Sequence, residues 1–130
     1  MIRFADKQHE AFYREQTQRR RDDVYHRALI YTLGICDDTR RRFNELYDAA
    51  GRCINPGAIN TAWQTGGSLK VTRLALNLFT DGTPTADDIG ECRRYSVSDI
   101  FACGFAPYFV QAVRLRYSEY FMCTKKQQRS

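Results

Sequence analysis

Two runs of consecutive arginines, Arg19, Arg20 and Arg21 in one and Arg40, Arg41 and Arg42 in the other, are the residues of this chain best equipped to meet an anion. A guanidinium is planar, forked and permanently charged, so dense arginines pair well with phosphate oxygens. Paired aspartates flank each run: Asp22 and Asp23 follow the first, and Asp37 and Asp38 precede the second. Helices also favour acids in their first turn and bases in their last. The same letters therefore fit a nucleic-acid footprint and ordinary helix punctuation, and both readings stay open at this level.

A further cationic pair, Lys70 and Arg73, lies in the run INTAWQT, GG, SLKVTRLALNLF, which has helix–turn–helix proportions. In a reader helix these two side chains would meet a phosphate backbone or a base edge. Against this, the second helix is strongly apolar and its first turn opens with bulky Leu69. Gly66, Gly67 and Ser68 ahead of it suggest free amides for an anion. The run lacks the full GxxxxGK[ST] pattern, so a tight turn with Ser68 as helix cap is the preferred reading. Late in the chain Tyr108, Tyr117 and Tyr120 stand beside Arg114 and Arg116. Tyrosine and arginine dominate binding hot spots, so this segment could line a surface for a protein partner or a homodimer. It could equally be the closing helix of the core.

Catalytic machinery is thin. The two histidines, His9 and His26, have no HExxH context and no cysteine at metal-ligand spacing. The five cysteines, Cys36, Cys53, Cys92, Cys103 and Cys123, are scattered, odd in number and without CxxC spacing. They read as small buried hydrophobes of a reduced, cytoplasmic protein rather than as a disulfide scaffold. Cys36 precedes a helix start, a mildly thiolate-favouring place, but a cysteine filling the turn after Gly34 is the simpler reading. The expectation is a protein that is not an enzyme and uses no cofactor and no metal.

The composition frames these sites. Hydrophobic residues make up 43% and charged residues 27% of 130 positions, which is the balance of one globular domain and not of a disordered chain. The formal charge of +5 favours an anionic partner. No apolar stretch approaches the ~20 residues of a membrane helix, so no membrane is expected.

The elements that must position the sites follow from caps, apolar periodicity and breakers. The first helix is expected from Asp6 to Arg20, and a second, capped by Asp23, from Val24 to a stop at Gly34. A third starts at Asp37 or Asp38, buries Phe43, Leu46, Tyr47 and Ala50, and ends at Gly51. Asn55 and Pro56 restart a short helix that turns Ile59, Ala62 and Trp63 inward before Gly66 and Gly67 break it. The fifth is the cleanest amphipath: Val71, Leu74, Ala75 and Leu78 form its apolar strip, with Lys70, Arg73 and Asn77 opposite. A loop follows over 80–91, with one turn beginning at Thr85. Ser96 and Asp99 then have capping-box spacing for a short helix through Phe101. Pro107 opens the last helix, with Phe109, Val110 and Val113 as its core set. The fold class is all-α, a compact orthogonal bundle of five to seven short helices in one domain over 1–124, with a polar tail over 125–130.

Three pieces together, YHRALIYTLGICDDTRR, INPGAINTAWQTGGSLKVTRLALNLF and SVSDIFACGFAPYFVQAVRLRYSEY, resemble the uncharacterised family DUF6075. The resemblance implies no activity. It implies a context: small proteins of Firmicutes, frequent in prophages and conjugative elements, where accessory proteins inhibit host defence or regulate the element. If the family shares a functional surface, the resemblance points to Trp63, Ser68, Lys70, Arg73 and Asn77 as the matching positions. The expected function is a non-enzymatic binding protein of a phage or mobile element, such as an anti-CRISPR inhibitor that takes a host or element protein as partner. The alternative is a nucleic-acid-binding accessory or regulatory protein that uses the arginine runs and the helix–turn–helix-like segment.

Overall fold

The computed structural model describes residues 1–85 and 89–121. The polar tail over 125–130 and Cys123 lie outside the described residues, as does most of the turn expected to begin at Thr85.

The helix at the centre is α2 (Val24–Ile35), and it is buried from Ala28 to Ile35 without interruption. A helix that is apolar all round must be covered all round. The covers are α1 (Lys7–Arg19), α5 (Gly66–Thr80) and α8 (Ala106–Arg116), each packed against α2. Between α2 and α5 the chain makes α3 (Asp37–Arg41), α4 (Phe43–Leu46), a hairpin of β1 (Tyr47–Asp48) with β2 (Cys53–Ile54), and a 3₁₀ turn over Pro56–Asn60. Two short helices, α6 (Ile89–Arg93) and α7 (Val97–Ile100), bridge α5 to α8. The molecule is a compact, mostly helical bundle, as the cap-and-strip pattern predicts.

The caps explain where the long helices begin. Asp6 accepts from the His9 amide and Asp23 from the His26 amide, both at 2.8 Å. Such a cap contributes about 1 kcal/mol by satisfying an amide that the helix itself cannot. Ser96 caps α7 by accepting from the Asp99 amide at 3.1 Å. The expected strip of α5 is the observed one: Val71, Leu74, Ala75 and Leu78 are all buried.

Several boundaries differ from expectation. Gly34 does not stop α2; it lies inside the helix, where a Cβ would come within 2.8 Å of Phe12 and 2.9 Å of His9. The glycine is there to let α1 approach. The cap of α5 is Thr65, not Ser68, and Gly66 and Gly67 are the first helical residues rather than breakers. Thr65 and Ser68 form a reciprocal box, with each side chain accepting from the other's amide. The third helix divides at Arg42 and gives way to the hairpin, so Ala50 is exposed at its turn. The helix expected around Ile59 to Trp63 shrinks to the 3₁₀ turn, which leaves Ala62 exposed and Trp63 only half-buried. Without a first helix, the helix–turn–helix proportions do not become that motif. Val110 is 49% exposed; the buried face of α8 is instead Phe109, Ala112 and Arg116. Of the cysteines, Cys36 and Cys103 are half-buried while Cys53 and Cys92 are exposed, so none of these four is a fully buried hydrophobe.

Two histidines hold the bundle together from inside. His9 is fully buried; its Nδ1 accepts from the Ala5 amide at 3.0 Å and its Nε2 donates to the Tyr31 carbonyl at 2.8 Å. Burial pushes its pKa below the usual histidine value, and the bond to Tyr31 only partly opposes this. The Tyr31 hydroxyl donates to the Arg3 carbonyl, so the first five residues are tied down at two points.

Candidate anion-binding site

The two arginine runs, indistinguishable as letters, part company in three dimensions. In the second, Arg40 is consumed internally, while Arg41 and Arg42 make surface pairs with neighbouring acids. Arg40 donates to the Gly34 carbonyl at 2.9 Å, to Asp37 at 2.7 Å and to Gln8 at 3.2 Å, tying α3 to both α1 and α2. Arg41 pairs with Asp38 at 3.0 Å and Arg42 with Glu45 at 3.2 Å. Arg42 also covers the Trp63 ring at 5.2 Å. This run is helix punctuation with a tethering role.

The first run lines a cleft. Arg19, Arg20 and Arg21, at the end of α1, face Tyr47, Ala49 and Arg52 of the hairpin across a space of about 470 Å³. Arg19 meets the exposed Glu15 and Arg21 the half-buried Asp23, each at 3.4 Å. Such loose surface pairs are worth ~0–1 kcal/mol and yield to a stronger partner. Among the described residues neither Arg20 nor Arg52 has a carboxylate partner. Arg20 donates to Gln16 at 3.0 Å and lies over the rings of Phe43 and Tyr47, at 5.6 and 5.7 Å from their centroids. Its Nε is buried and has no hydrogen-bond partner among the described residues.

Local sequence explains how the wall is built. Bases suit the last turn of α1, because exposed carbonyls put about half a negative charge there. Arg52 is held by the hairpin turn at φ 52, a left-handed backbone that favours glycine. For a residue with a Cβ this conformation costs roughly 1–2 kcal/mol. From that turn Arg52 lines the cleft opposite the first run.

Behind the wall runs a buried chain of hydrogen bonds. Asp23 accepts from His26 Nδ1 at 3.0 Å, which leaves Nε2 to accept from the Tyr47 hydroxyl at 2.9 Å. Burial raises the Asp23 pKa, but the bonds from the His26 amide and ring, with the nearby charges, outweigh it and hold the carboxyl below its usual range. Burial pushes the Tyr47 hydroxyl up, against the pull of Arg20 and Arg52, so it stays protonated at neutral pH. Phe79 packs edge-on against both rings, at 5.1 Å from His26 and 6.0 Å from Tyr47. The chain therefore fixes Tyr47 as a rigid floor.

The other sequence-predicted residues are not gathered here. Lys70 donates to the carbonyl of Asp99 and pairs with its carboxylate at 3.4 Å. Arg73 does not stand on a solvent face; it is 8% exposed and holds Glu91 in a two-point pair at 2.8 and 3.0 Å. Thr85 joins that network, donating to Glu91 at 3.1 Å and bonding Tyr95. Arg116 is buried, bonding the Leu78 carbonyl at 2.9 Å and Asp81 at 2.7 Å under the Tyr25 ring. Tyr108 lies beneath Arg3 and Tyr117 beneath Arg116. Arg114 and Tyr120 remain on the surface, with Arg114 stacked on Phe121 at 5.0 Å. Sequence reasoning placed Asp23 beside the first run but missed Tyr47, His26 and Arg52 as its partners. No spacing signal marks them, because they meet through packing of the hairpin against α1 and α2.

Among the described residues, no three His, Cys, Asp or Glu side chains are grouped to hold a metal ion. Among the same residues, no helix is long and apolar enough to cross a membrane. A family model described as "Family of unknown function (DUF6075)" matches residues 1–129, and the chain belongs to that family. No curated protein and no solved structure matches it.

Proposed function

We propose that this member of the family is a non-enzymatic nucleic-acid-binding protein, an accessory or regulatory factor of a phage or mobile element acting in the cytoplasm. The observation that carries the reading is the cleft, which Arg19, Arg20, Arg21 and Arg52 line, while Arg40 of the second run is spent on bonds inside the fold. Guanidinium groups without strong carboxylate partners are the chemistry that phosphate oxygens select. Each neutralised phosphate releases counterions, so affinity should fall with salt. Replacing Arg19, Arg20 and Arg21 together by glutamine should abolish binding to mixed-sequence DNA or RNA. Replacing Arg40, Arg41 and Arg42 should lower the melting temperature and leave the affinity of the folded protein nearly unchanged. Lack of any binding to single strand or duplex at ~50 mM salt would end this reading.

A second reading takes a host or element protein as partner, in a homodimer or as an inhibitor of a host defence such as CRISPR. It draws on the outer edge of the last helix, where Val110 is 49%, Tyr120 64% and Phe121 41% exposed beside Arg114. Capture of one host protein by the wild type, lost with Tyr120→Ala and Arg114→Ala but kept when the first arginine run is replaced, would favour it over the cleft.

A further inference from the structure

From the shape and charge of the cleft we infer that it recognises the end of a nucleic-acid strand, a terminal phosphomonoester, rather than the diester backbone along it. The inference rests on the nucleic-acid reading above and narrows it to one feature of the ligand. A backbone-tracking surface spreads its cations along a groove, so that successive phosphates are met in turn. Here four arginines, with Tyr47 and Ala49, line one open space of about 470 Å³, the size of a small-molecule pocket. Such a space takes one or two phosphates, not a row of them.

Charge points the same way. A phosphomonoester carries about −1.5 to −2 at pH 7 and offers three oxygens, where a diester carries one charge and two free oxygens. Clustered guanidinium forks reward the extra charge and the extra acceptor. The cleft is also built in advance. Arg20 is clamped by Gln16 and by the faces of Phe43 and Tyr47, and its buried Nε has no hydrogen-bond partner among the described residues. Tyr47 is held by His26, and His26 by Asp23, so the floor does not move. Arg52 is presented on a left-handed turn. Groups already ordered lose little freedom on binding, which favours a compact ligand of defined geometry.

The test compares oligonucleotides of one mixed sequence that carry a 5′ phosphate, a 3′ phosphate or hydroxyls at both ends, with inorganic phosphate and a phosphotyrosine peptide as further probes. Fluorescence anisotropy at ~50 mM and ~200 mM salt reads affinity and its salt slope. The expected result is binding at least about tenfold tighter to one of the phosphorylated ends than to the hydroxyl form. The slope should be about −0.7 to −1.4, as for one or two phosphates on a single strand. Arg52→Gly, which relieves the left-handed backbone and removes the charge, should lose that preference while staying folded. Arg20→Gln, checked by circular dichroism, should do the same. Equal affinity for phosphorylated and hydroxyl ends with a steep slope would overturn end recognition and leave backbone binding standing. Tighter binding of the phosphopeptide would overturn the nucleic-acid ligand. Preference unmoved by both variants would place the site elsewhere. No binding of any probe would remove both this inference and the reading beneath it.

Discussion

Gly34→Ala sets two opposing effects against each other, and the structure says which wins. In an exposed helix interior alanine is favoured over glycine by about 0.8–1 kcal/mol. At Gly34 the new methyl would lie 2.8 Å from Phe12 Cδ2 and 2.9 Å from His9 Cδ2, well inside contact distance. The His9 ring cannot yield cheaply, because its two nitrogens are bonded to the Ala5 amide and the Tyr31 carbonyl and it is fully buried. Phe12 is backed by Phe43, whose ring lies edge-on at 5.3 Å. Overpacking of this kind costs about 1–3 kcal/mol, and the rigid neighbours put Gly34 in the upper part of that range. The net loss is then about 1–2 kcal/mol, or a fall in melting temperature of roughly 4–8 °C for a domain of this size. Gly66→Ala supplies the control. It sits in the first turn of α5 with nothing within 4 Å of its added Cβ, so the same substitution should be neutral or stabilise by up to about 1 kcal/mol. Thermal and urea denaturation of the two variants read the difference directly. A Gly34→Ala protein as stable as the wild type would refute the tight α1–α2 contact and the pinned His9 on which the estimate stands.

Three further outcomes follow from buried groups. Arg73→Ala should destabilise by about 3–5 kcal/mol, because Glu91 keeps its charge in a largely buried pair; unchanged stability with lost nucleic-acid affinity would restore Arg73 as a reader. Acid should loosen the fold through His9, whose folded pKa lies below its unfolded 6.5: its stabilisation is complete above pH 6.5 and declines, by at most about 1.4 kcal/mol per pH unit, as pH falls toward the folded value. Urea midpoints between pH 7 and pH 5 should show this slope, and His9→Gln should flatten it. Trp63→Ala should cost about 2–3 kcal/mol, less than the ~3–5 of a fully buried ring, because the indole is half-buried under Arg42 and its Nε1 has no hydrogen-bond partner. A fully stable Trp63→Ala protein by thermal denaturation would mean that the ring contributes nothing to the core.

The helical class and the caps of α2 and α7 were legible in the sequence, whereas the start of α5 was not. Asp6, Asp23 and Ser96 are caps in the structure because a side-chain oxygen and an amide two or three residues later are fixed by local geometry. The strip of α5 was legible for the same reason, since residues three and four apart share a face whatever lies around them. Tertiary structure decided what locality cannot express. A glycine is a breaker or a packing notch according to what crosses it, and at Gly34 what crosses is His9 from another helix. Arg73 and Arg116 read as surface cations, yet partners on other elements draw them into the interior. The two arginine runs are equivalent as letters, and both pair with neighbouring acids; only the return of the hairpin beside α1 turns one into the wall of a cleft, while α1 and α2 draw Arg40 of the other into the fold. Charge in a sequence states how many cations there are, and their partners are set by long-range contacts that no window of neighbouring residues contains.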